Sequence, residues 1–171
     1  MESKLSFNLI DTTLNEIYCG ELNEAKKVIK NIKKFENFSL TLDKFFITIN
    51  ISKPKKIKDL TEVISSYNSE NYSVICSISA AYTDSMSNFS MAATLSSRVE
   101  LVNSSSMSIK DIEELINNQR VPFLRPTISK LVNIFSFLLT ENTRINSIPG
   151  ANDLLNYIAK DKSGIKFKEE S

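Results

Sequence analysis

The chain has 171 residues, 42% of them apolar and 24% charged, a balance that suits a single globular domain and excludes a disordered one. Lys and Arg number 21 against 20 Asp and Glu, so the basic excess of a nucleic-acid binder is missing. With no histidine the commonest general base and metal ligand is gone, and Cys19 and Cys76 have neither pairing motif nor metal spacing. Free thiols, no cofactor, no metal site and no catalytic group are therefore expected, and the chain is read as a non-enzyme.

The opening Met1 to Phe7 holds no continuous apolar run, which predicts a cytoplasmic protein without a secretory leader. Phe7 to Cys19 suits two readings. Phe7, Leu9, Ile17 and Cys19 share a strand parity, while Ile10, Leu14, Ile17 and Tyr18 suit a helical stripe. Residues 21–34 read as a helix, with Leu22, Ala25, Ile29 and Ile32 on one side and lysines elsewhere.

Phe38, Leu40 and Leu42 then alternate on one parity and Phe45, Ile47, Ile49 and Ile51 on the other. The slip at Asp43 and Lys44 predicts a bulge or a bend between two strands. Pro54 ends that run, and residues 57–66 suit a short helix. Tyr72 to Thr83 and Phe89 to Leu101 alternate again around a turn at 84–88, the pattern of a β-hairpin. Their small, mostly polar alternate residues predict an antiparallel sheet covered on one side only.

Ser108 and Asp111 have capping-box spacing ahead of Ile109, Ile112, Leu115 and Ile116, which predicts a short amphipathic helix. Pro122 and Pro126 are expected to break it, with Pro126 in the first turn of a helix from Leu124 to Thr140. A last helix starts at Ala151 or Asn152 and carries Leu154, Leu155 and Ile158. The charged tail from Asp161 is expected to fray. Strands first and helices last make an α+β fold in a single domain over residues 1–171.

The run Val121-Pro-Phe-Leu-Arg-Pro-Thr-Ile-Ser-Lys-Leu-Val132, followed by Ile148-Pro-Gly-Ala-Asn-Asp-Leu-Leu155, resembles the hallmark segment of the SecB export chaperones. Pro122, Phe123 and Arg125 match the element that opens the family's long helix. Ile128, Leu131 and Val132 match that helix, and Pro149, Asp153 and Leu155 match the stretch before its second helix. Phe7, Leu9 and Ile17 fit its first strand, which favours strand over helix there; the resemblance covers a little over half of the chain.

It implies a four-stranded antiparallel sheet with two C-terminal helices on one face, assembled as a dimer of dimers, a homotetramer. Ile128, Leu131, Phe135 and Leu138 would sit in the helical layer between subunits. An apolar groove of Phe45, Ile47, Ile49, Ile148, Leu154 and Tyr157 would hold unfolded polypeptide without ATP. Pro122, Phe123, Arg125 and Pro149 would be structural, Arg125 through a hydrogen bond or ion pair. The family docks on the translocation motor SecA through acidic surfaces, whereas residues 160–168 here are basic. That departure favours a divergent relative, such as a chaperone accompanying a toxin–antitoxin pair or a phage-borne accessory protein. The alternative to general holding for export is then a dedicated partner with one fixed client, for instance an antitoxin. Neither nucleic-acid binding nor membrane insertion is expected.

Overall fold

The structure is a computed structural model describing residues 6–24, 27, 38–42, 44–60, 67–86, 88–140 and 148–167, excepting the side chains of 139 and 140. Six strands form one antiparallel sheet: β1 (Ser6–Glu21), β2 (Phe38–Leu42), β3 (Phe45–Ile51), β4 (Lys55–Lys56), β5 (Tyr72–Asp84) and β6 (Phe89–Val102). Their order is β1-β6-β5-β3-β2, with β4 paired to β5. The three helices with described bounds, α1 (Ile109–Asn118), α2 (Arg120–Thr140) and α3 (Ala151–Lys160), follow the last strand. The fold is α+β.

The ambiguous first segment is a strand, paired with β6 from Ser6↔Val102 to Glu21↔Phe89, which satisfies the β6-facing half of its backbone groups. Two register shifts, between Leu9 and Asp11 and between Leu14 and Glu16, explain its mixed periodicity. Each inserts a residue, so the helix-side positions run Leu9, Thr12, Leu14, Ile17, Cys19 rather than every second residue. The parity slip at 43–44 separates two antiparallel strands, β2 and β3. Of the helix expected over 21–34, Glu21 still belongs to β1, 22–24 are helical, and most of the rest lies outside the described residues. Of that expected over 57–66, Ile57–Asp59 form a single 3-10 turn and 61–66 lie outside them.

Ser108 caps α1 as its spacing predicts: the Asp111 N–H donates to Ser108 Oγ at 3.1 Å and Ser108 N–H to Asp111 Oδ2 at 3.3 Å. The chain re-enters a helix at Arg120, four residues earlier than the prolines suggest, which places Pro126 inside α2. The missing bond is the one Pro126 would donate to the Pro122 carbonyl, and both prolines lie on the exposed side of the helix. Asp153 caps α3 by accepting from Gly150 N–H at 3.3 Å.

One core lies between the sheet and the helices. Phe45, Ile47, Ile49, Ile51, Ile78, Met91, Leu101, Ile112, Ile116, Phe123, Leu124, Ile128, Leu131, Phe135, Leu154 and Ile158 are all buried in it. The far face is less open than its polar pattern suggests. Phe46 and Tyr18 pack on buried Ala81 and Ala92, and Thr48, Ser79 and Ser90 are buried as well.

The expected fraying of residues 161–171 is corrected over its described part. Ile165 is buried, and Phe167 is half-buried and bridges in parallel to Ile51. Two apolar side chains in Ile-Lys-Phe dock the tail despite the flanking lysines. Among the described residues no helix is long and apolar enough to cross a membrane.

Candidate functional site: the β1 edge beside α2

The residues expected to line a groove do not form one. Phe45, Ile47, Ile49 and Leu154 are buried, Ile148 is half-buried, and Tyr157 alone is exposed. The physical reason is the course of α2. It starts over β1, where Phe123 meets Phe7 at 5.2 Å between ring centroids, and crosses β6, where Thr127 Oγ1 donates to Ser97 Oγ at 2.8 Å. It ends over β3, with Phe135 against Phe45 at 5.7 Å. A helix lying diagonally over the sheet closes the face on which a groove was expected. The same packing corrects the expected subunit interface: Ile128, Leu131 and Phe135 spend their surface inside the chain, and Leu138 is half-buried.

The structural residues are placed otherwise. Phe123 is core, and Arg125 donates from Nη1 to Asn152 Oδ1 at 3.0 Å, tying the start of α2 to the start of α3. Pro122 is exposed and Pro149 half-buried, at the first turn of α2 and just before α3. Arg120, which sequence reasoning passed over, donates from Nη1 to the Ile158 and Asp161 carbonyls at 3.1 and 2.8 Å and so closes the C-terminus of α3.

The diagonal also leaves something uncovered. Leu14 and Ile17 pair with Leu95 and Ala93, so they lie on the helix side of the sheet, yet they are 46% and 48% exposed. Lys130 reaches back from α2 to donate to Thr12 Oγ1 at 3.1 Å. Ile134 and Phe137 follow Lys130 at four and seven residues, on the same stripe, and Phe137 is 66% exposed. Among the described residues the helix side of the second half of β1 is thus left exposed at Leu14 and Ile17, the floor of a wedge beside α2.

β1 is an edge strand of 16 residues whose outer side has no sheet partner among the described residues. It carries no lysine, arginine or proline to blunt that edge. Its charged residues are all acidic, Asp11, Glu16 and Glu21, and all are exposed. Ile17 was legible on the strand parity of Phe7 and Leu9, whereas the first bulge moves Leu14 off that parity.

The thiols offer little chemistry. Burial pushes the Cys76 thiol up to about 12, which holds it protonated and unreactive, and desolvation also raises Cys19, an exposed residue on β1. Among the described residues no three His, Cys, Asp or Glu come together as a metal site.

No family model matches the chain, and no curated protein matches it. Among solved structures, a protein of unknown function from Streptococcus agalactiae is similar over 76% of this chain and 90% of that chain, with 9% identity and a TM-score of 0.32. A likeness that slight defines neither a shared fold nor a function.

Proposed function

We propose that the chain is a non-enzymatic polypeptide-binding protein of SecB-like type, acting in the cytoplasm without ATP, that takes an extended client segment along the β1 edge. The observation that carries this reading is the long β1 edge, with Leu14 and Ile17 exposed beside it. An added strand gains main-chain hydrogen bonds from such an edge and side-chain contacts from the wedge. The acidic residues of β1 suit a client segment that mixes apolar and basic residues.

Four antiparallel strands of seven residues or more, β1, β3, β5 and β6, with helices packed after them, are compatible with the SecB-like resemblance. On that view β2 and β4, of five and two residues, are additions. Assembly as a dimer of dimers belongs to the same proposal; with Ile128, Leu131 and Phe135 buried, its helical contact moves to Phe137.

The limited apolar exposure among the described residues favours one dedicated client over general holding, and the basic tail argues against delivery to SecA. Among the described residues, the large apolar side chains at least two-fifths exposed are Leu14, Ile17, Ile75, Met86, Ile109, Phe137 and Tyr157, spread over several elements. A general holding chaperone calls for a broad contiguous patch.

The test is a holding assay on several chemically denatured clients with the wild type and a Leu14→Lys, Ile17→Lys double variant. Suppression of aggregation, strongest for one client and lost in the variant at an unchanged unfolding midpoint, is the expected result. Holding that survives both substitutions would remove the β1 edge from the mechanism.

A further inference from the structure

The C-terminal tail is seated the way a bound peptide is seated. Asn117 on α1 makes a reciprocal pair of bonds to one residue of it: Nδ2 donates to the Ile165 carbonyl at 2.7 Å, and Oδ1 accepts from the Ile165 N–H at 2.7 Å. Glu113, one turn earlier, accepts the Phe167 N–H on Oε2 at 3.1 Å. Ile165 is buried, and Phe167, two residues on, packs against the core and bridges to Ile51.

Side chains thus read the main chain at alternate residues, and alternate apolar side chains enter the protein. This is recognition of an extended strand, indifferent to the residue between. Gly164 makes the approach feasible. Its φ of +73° is left-handed, and a Cβ there would come within 3.4 Å of Asn117 Oδ1.

We infer that this cleft between α1 and the end of β3 is a peptide-binding site, filled at rest by the chain's own tail as a displaceable strap. Its external ligand is an extended segment with two apolar side chains separated by one residue. The inference rests on the polypeptide-binding reading of the chain, but it concerns a different surface from the β1 edge. A ligand competing with the strap binds with an affinity reduced by the fraction of time the cleft is vacant, so loosening the tail tightens binding in trans.

The probe is a fluorescent peptide of residues 163–168, with a control carrying serine in place of Ile165 and Phe167, followed by anisotropy. Full-length protein should bind it weakly. Gly164→Ala, which forces a side chain into the left-handed region without touching the core, should bind it roughly tenfold more tightly. A chain ending at Lys162 should bind more tightly still and lose at least tenfold on adding Asn117→Ala. In the full chain, saturating peptide should speed hydrogen exchange at the Ile165 and Phe167 amides.

If the shortened chain fails to fold by circular dichroism, Gly164→Ala and the exchange measurement carry the test. Peptide affinity that is the same for wild type and Gly164→Ala, with both amides still protected at saturation, shows the tail to be a fixed part of the core and overturns the inference. Because the probe is the chain's own sequence and needs no client, failure here leaves the β1 edge standing, and the Leu14 and Ile17 substitutions leave this cleft intact.

Discussion

Phe45→Ala separates a core from a groove most sharply. Phe45 is 2% exposed and meets Phe135 edge-on, with 5.7 Å between centroids and 75° between ring planes. Deleting a buried phenyl ring costs about 3–5 kcal/mol, transfer and residual cavity together. A domain is stable by only about 5–15 kcal/mol, so the loss takes about a fifth or more of the total. At this chain length it lowers the melting temperature by about 10 °C. A double-mutant cycle with Phe135→Ala should return a coupling of about 0.5–1.5 kcal/mol for the edge-on pair. Urea unfolding followed by circular dichroism gives all four corners of the cycle. A loss below about 1 kcal/mol for Phe45→Ala, accompanied by weakened client binding, would refute the core assignment and restore the groove.

Arg120→Met should destabilise by about 1.5–3 kcal/mol in the same urea assay, since a charged donor to two carbonyls at the end of α3 is removed. Arg125→Ala should cost less than about 1 kcal/mol, its single bond to Asn152 being exposed. The Ser108 hydroxyl and N–H hold the Asp111 carboxyl below its usual range. A depressed folded value means that this cap stabilises α1 above the ordinary carboxylate range and is lost as pH falls through the lowered value. An NMR titration of Asp111 should therefore move up towards the ordinary range in Ser108→Ala, the backbone N–H at 108 still holding part of the lowering. An aromatic disulfide reagent at mildly alkaline pH should label Cys19 alone in the folded chain and both thiols in denaturant, because burial keeps Cys76 protonated.

The hairpin of β5 and β6, the helix capped by Ser108 and the last helix were legible because each depends on local pattern: clean alternation, a capping box, a stripe of Leu154, Leu155 and Ile158. β1 was only half legible. The first inserted residue shifts the parity of Leu14, so a period-two reading loses it, while the second returns Ile17 to the parity of Phe7 and Leu9. The start of α2 was misplaced because proline at 126 argues for a boundary, yet Pro126 sits inside the helix on its exposed side.

The site was the least legible part. Apolar alternation in β3 says that one face of the strand is covered, not what covers it. Phe45, Ile47 and Ile49 serve equally as core or as groove until the diagonal path of α2 is seen. The tail was misread because its lysines dominate the composition while Ile165 and Phe167 dominate the energetics. Asn117, the residue that clamps it, gives no signal in the sequence beyond lying on α1.

The most direct measurement is hydrogen exchange of the full chain with and without a saturating denatured client, resolved by segment. The account predicts slowed exchange along β1, from Ser6 to Glu21, where a client strand completes the sheet edge. Unchanged exchange in β1, with protection appearing instead along β2 at the opposite edge, would contradict it.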